Sequence, residues 1–184
     1  MGYTLELWAL RLPALEAELA SPTIEAAAVE GDDTLPAEVV ERWEDLAGQV
    51  AAVVASGGGE VAGLLAVHVH AVVRALGTHY GALDHTSGGG EEFRRRFLPG
   101  PAAARYGHEA VARLVNRPIA GLSWGDYPVL GWLGNDELAR AVASAAAPAG
   151  DLDEASEDVG PLDVLGRAMA RAAAVGVDLV GAYG

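Results

Sequence analysis

Residues Tyr3 to Leu10 (YTLELWAL) and Val177 to Tyr183 (VDLVGAY) read as strands at the two ends of the chain. They are rich in aromatic and branched residues, whereas most of the periodic sequence between them has helical spacing. With a further one or two short strands expected in 119–133, this arrangement predicts an α+β domain. It is mainly helical, with a small sheet formed by strands at both termini and in the 119–133 region. At 184 residues the chain has the length of a single domain, 1–184. A chain of this size buries roughly 70% of its extended surface and needs no covalent staple.

Pro13 opens a short helix that Ser21-Pro22 ends. A helix is predicted from about Pro36 to Ala55, with Val39, Trp43, Leu46, Val50 and Val53 on one face. Ser56-Gly57-Gly58-Gly59 stops it. A third helix spans about Glu60 to Leu76, with Gly77 suited to a left-handed cap. The segment 77–90, GTHYGALDHTSGGG, reads as an irregular loop. Helices are expected over 91–98 and 102–116, separated by Pro99-Gly100-Pro101. Ile119 to Leu133 reads as loop with short strands. Asp136 starts a helix to about Ala147. Residues 148–160 hold five acids within eight residues and read as a solvated, flexible loop. Pro161 then leads into a helix with Leu162, Leu165, Met169 and Ala172 on one stripe.

There is no cysteine, and all 12 basic residues are arginine. Thiol catalysis, Cys-ligated metals, Schiff-base lysine chemistry and a P-loop lysine are thereby excluded. The formal charge of −14 disfavours nucleic acid and anionic membrane as partners. No apolar run approaches the ~20 residues of a membrane span, and the N-terminus lacks an export pattern. The expectation is a soluble, cytoplasmic protein.

Gly121-Leu122-Ser123-Trp124-Gly125 fits the G-x-S-x-G pattern of a serine-hydrolase elbow. Such an elbow needs a helix directly after the serine and a base histidine later in the chain. Pro128 opposes the helix, and the last histidine is His108. The glycines are better read as letting Trp124, Tyr127 and Trp132 approach the core, with their polar tips paired.

Four histidines fall within HVHAVVRALGTHYGALDH. On a helix His68 and His70 lie about 200° apart and cannot share an ion. His68 falls on the stripe of Val61, Leu65, Val72 and Leu76 and reads as a core histidine with a hydrogen-bonded partner. His70 is expected to face outward. His79, Asp84 and His85 remain as metal-ligand candidates, but spacing within a loop constrains nothing. No metal or other cofactor is expected.

Asp84-His85 in a glycine-flanked loop, joined by Asp126, is the acid-base candidate. The bland reading is a loop held by side-chain caps from Asp84 and Thr86. Gly88-Gly89-Gly90 precedes Glu91 and Glu92, which occupy the place of a phosphate. Arg94, Arg96 or Arg105 are expected to pair with surplus carboxylates.

The strand running into a helix at the start, the middle segment RPIAGLSWGDYPVLGWLGNDELARA and the closing GRAMARAAAVGVDLVGAY resemble small uncharacterised bacterial proteins of the YfbM-like kind. The resemblance covers about half the chain. It implies an α+β fold and no assigned activity. The expected function is a protein- or ligand-binding, regulatory module without catalysis, and the alternative is a small enzyme using a His/Asp acid-base pair in the 77–90 loop. Trp124, Tyr127 and Trp132 are the expected surface for a partner or a homodimer.

Overall fold

The computed structural model describes residues 3–85, 100, 102–145 and 159–184. β1 (Tyr3–Leu10) and β6 (Asp178–Tyr183), the two terminal strands, pair antiparallel at the centre of a four-stranded sheet. β3 (Thr78–His85) adds to the free side of β1 and β5 (Val129–Leu133) to that of β6, giving the order β3-β1-β6-β5 with every neighbour antiparallel. A separate parallel pair joins β2 (Gly59–Val61) to β4 (Leu122–Trp124).

Alternation along the central strands sends apolar side chains to both faces, and helices cover each. Leu5, Leu7, Leu83, Leu133, Leu179 and Tyr183 enter one core. There they meet α5 (Ala103–Tyr106), α6 (His108–Val115), α7 (Asn135–Ala145) and α8 (Val159–Val175). Leu10, Leu130, Val180 and Ala182 face the other core. Its helices are α1 (Leu12–Ala20), α2 (Ala37–Glu41), α3 (Trp43–Ala55) and α4 (Leu64–Leu76). The α+β expectation with terminal strands in the sheet therefore holds, and the sheet also takes in β3, from the stretch expected to be an irregular loop.

Asp178, where α8 hands over to β6, serves both layers. Its Oδ2 accepts from the Leu12 N–H at the start of α1 (2.8 Å), and its Oδ1 from the Asn135 N–H at the start of α7 (3.1 Å). One carboxylate thus satisfies an orphan donor at two helix N-termini, where its charge also complements the dipoles.

Several local expectations are corrected. The helix expected over 36–55 is divided at Arg42 (φ −110°), whose guanidinium bonds Glu38 in the preceding turn and Asp45 in the next. The helix expected from Glu60 begins only at Leu64, because Gly59–Val61 are drawn into pairing with β4 and Gly63 turns the chain at φ +54°. Gly77 is extended (φ −93°, ψ 162°) rather than left-handed, since the chain continues straight into β3. The 102–116 helix is split at Gly107 (φ +93°). The expected helix 91–98, the triglycine and the acidic loop lie outside the described residues, apart from the last residues of that loop, which begin α8.

Two glycines set how α6 meets the sheet. Gly131 and Gly181 are directly opposed on β5 and β6. A Cβ on Gly131 would collide with the Arg113 carbonyl, and one on Gly181 with that of Leu114. The C-terminal turn of α6 therefore rests on bare strand backbone. Among the described residues, no helix is long and apolar enough to cross a membrane.

Candidate functional site

The residues proposed for acid-base work are not brought together. Asp84 and His85 end β3, opposite Thr4 and Tyr3, so they belong to a strand rather than a loop. Asp126 precedes β5 at the other edge of the sheet. Three strand spacings separate those edges, roughly 14 Å, with β1 and β6 between. The side chain of Asp126 is exposed and accepts a hydrogen bond from the N–H of Tyr127 (2.8 Å), as a turn residue does. His79 and His85 lie six residues apart on one strand, roughly 20 Å, too far to share an ion. His79 packs its ring on Trp8 with centroids 4.7 Å apart. Among the described residues no group of three or more His, Asp or Glu is placed to hold a metal. Thr86 lies outside the described residues.

Ser123 sits in β4 opposite Glu60, and the chain after it turns through Gly125 and Asp126 into β5 with no helix. Trp124, Tyr127 and Trp132 do not make one patch. Trp124 and Trp132 pack against the core shared with α1–α4, whereas Tyr127 packs at a tilt against Tyr183 with centroids 5.6 Å apart. The indole N–H of Trp132 donates to the Pro118 carbonyl (3.0 Å), and Arg117 lies over its ring at 3.5 Å. The buried Nε1 of Trp124 has no partner among the described residues, against expectation. Tyr127 is the most exposed of the three, at 36%.

His68 is in the core as expected, 2% exposed and 4.3 Å from the Trp43 ring, but its Nδ1 has no partner among the described residues. Burial holds its imidazole down to about 4, with Glu18 opposing slightly, so it is neutral near pH 7. Leu76, expected on the same stripe, is exposed. His70 does not face outward. The helix α4 is wedged between α1–α3 and β1, so the face opposite the core meets Glu6 on the sheet. Glu6 Oε2 receives both His70 Nε2 (2.9 Å) and the Trp8 indole N–H (3.1 Å). Arg74 closes this cluster through Asp32 (2.9 Å) and Thr34, with its guanidinium over Trp8. The Glu6–His70 pair has no signature in the sequence, because 64 residues separate its members. Every polar group named in the cluster is engaged, so it fastens α4 to the sheet.

A cleft exists elsewhere, between α6 and α7, with a volume of about 360 Å³. That is within the range of small-ligand sites, near its lower end. Its floor is apolar: Tyr106, Leu133 and Ala141, all buried, with Ala110 beside them. Tyr106 is fixed by donating its hydroxyl to the Leu162 carbonyl (3.0 Å). His108 and Glu109, in the first turn of α6, line one wall, and Arg140 and Ser144 on α7 line the other.

At the inner end Arg113 of α6 gives one guanidinium nitrogen to Glu137 and another to Glu109. Glu137 also accepts from Arg117 (2.7 Å) and from the Gly134 N–H (3.0 Å). Burial pushes the Glu137 carboxyl up, and these donors together outweigh that and hold it below its ordinary value. Arg113 and Glu137 are thus locked and tie α6 to α7. Arg140 and His108, both exposed, make no hydrogen bond or ion pair among the described residues. Arg105, expected to pair with a carboxylate, instead lies 5.8 Å from the Tyr106 ring centroid, and its Nε has no partner among the described residues.

Comparison with protein-family models, curated proteins and solved structures finds no match to this chain.

Proposed function

We propose that this chain is a binding module without chemistry of its own, and that the α6–α7 cleft is where it takes a small ligand. The observation that carries this reading is the division of labour in the cleft. An apolar floor lies between two helices locked by Arg113 and Glu137, and uncommitted polar side chains face each other across it. A pre-formed concave site with few convergent polar groups is what small-molecule recognition needs. The alternative enzyme reading drew on Asp84, His85 and Asp126, and their positions at opposite edges of the sheet lend it no support.

NMR titration of isotopically labelled protein with a set of small aromatic and aliphatic fragments tests the proposal. Saturable shifts at the methyls of Ala110, Leu133 and Ala141 are expected. A set that leaves those signals unmoved at millimolar concentration overturns it.

The exposed ring of Tyr127 supports a second reading, a protein or homodimer contact at the end of the sheet. A solution mass that falls from dimer to monomer in Tyr127→Ala would favour it, and a monomeric parent would remove it.

A further inference from the structure

Resting on the reading of the α6–α7 cleft as a binding site, we infer that its ligand is a small organic carboxylate: one negative charge on a compact apolar body, with the charge taken by Arg140 and His108.

Most of the charges in and beside the cleft are already committed. Arg113 is spent on Glu109 and Glu137, and Glu137 is also held by Arg117. Among the residues that line the cleft, Arg113 and Arg140 stand against Glu109 and Glu137, and because Arg113 holds both carboxylates, Arg140 is the cation left uncommitted. This is unusual placement in a chain of net charge −14, where a free arginine has acidic neighbours available over most of the surface. Arg140 makes no ion pair among the described residues, although Asp136 lies one turn before it on α7, and it lines the wall opposite His108.

The single uncommitted guanidinium sets the valence of the ligand. A dianion such as phosphate would leave one charge without a cation, facing the largely exposed carboxylate of Glu109 on the wall across from Arg140. A monoanion is matched by Arg140 alone. The guanidinium also presents a planar fork that matches a carboxylate in a bidentate pair. The floor supplies the second half of the recognition. Leu133, Ala141 and Ala110 offer apolar contact and no polar side chain, so a ligand that is charged throughout would leave its own polar atoms unpaired there. The volume of about 360 Å³ admits a body of roughly one ring.

Binding of benzoate, its uncharged isostere benzamide, and inorganic phosphate, each measured separately on the full chain, tests the inference. Benzoate is expected to saturate, with methyl shifts at Leu133 and Ala141. Benzamide should bind at least tenfold more weakly, and phosphate more weakly than benzoate. Arg140→Gln should weaken benzoate roughly tenfold or more and leave benzamide unchanged. Arg167→Gln, on the exposed side of α8, should change neither. Both substitutions are of exposed arginines outside the core, and an unchanged amide spectrum away from the cleft verifies the fold. If benzamide binds in the cleft as well as benzoate, or Arg140→Gln binds benzoate like the parent, or phosphate binds more tightly, the carboxylate inference falls and the cleft remains a ligand site. If no probe moves the cleft signals, both fall.

Discussion

Glu6 and His70, 64 residues apart in sequence, meet with Oε2 and Nε2 2.9 Å apart between the central strand β1 and helix α4. The hydrogen bond from His70 is the largest influence on Glu6, and despite partial burial it holds the carboxyl down at about 2. Its folded value lies below the ordinary 4.5, so the stabilisation it brings is present above that pH and is lost as pH falls toward 2. Glu6→Gln is expected to cost about 2 kcal/mol at pH 7 in urea unfolding. The gap between parent and variant should close between pH 4.5 and 2. A gap that is constant across that window would show that the charge of Glu6 is not what holds α4.

His68 shows the opposite kind of burial. Its folded value, about 4, lies below the ordinary 6.5, so the unfolded chain takes up a proton first as pH falls. Stability is therefore lost between pH 6.5 and 4. His68→Leu keeps the volume and removes the titration. Its unfolding free energy should depend less on pH over that range than the parent's, with a difference on the order of 2–3 kcal/mol. Parallel pH profiles would mean that His68 is not kept neutral by its surroundings.

The opposed glycines Gly131 and Gly181 give a prediction of contrasting sign. Alanine at either one places a methyl against the carbonyl backbone at the end of α6, which cannot move without lifting the helix from the sheet. A loss of about 2–4 kcal/mol is expected for each in chemical unfolding. Gly48 lies inside α3 with nothing within 4 Å of an added Cβ and an ordinary φ, so Gly48→Ala should stabilise by about 0.5–1 kcal/mol. Equal and small effects at all three positions would contradict the close approach of α6.

The terminal strands and the long amphipathic helices were legible because each depends on a local pattern. YTLELWAL carries branched and aromatic residues, and the Val39, Trp43, Leu46 and Val50 stripe is buried as spaced. β3 was not legible. THYGALDH has no apolar alternation, since β3 is an edge strand with Thr78 and His79 exposed and only Leu83 fully buried among its described side chains, and its Gly81 (φ +148°) leaves room for Val164 of α8, so a glycine that reads as a loop signal is a packing device. The cleft was hidden for a different reason. Its walls come from separate helices, with Arg113 and Glu137 24 residues apart, and Arg113, Glu137 and Arg140 look like ordinary solvated charges until their pairing shows which one is left over. Asp84 and His85 were attractive because adjacency in a glycine-flanked stretch suggested a loop site, whereas the backbone there continues β3, at the edge of the sheet opposite Asp126.

Soaking crystals of the protein with a library of small organic fragments tests the assignment of the binding site most directly. The expected result is fragment density in the α6–α7 cleft, seated on Leu133 and Ala141, with acidic members reaching Arg140. Crystals in which that cleft is open to solvent yet stays empty, while fragments gather beside Tyr127 or along β3, would contradict it.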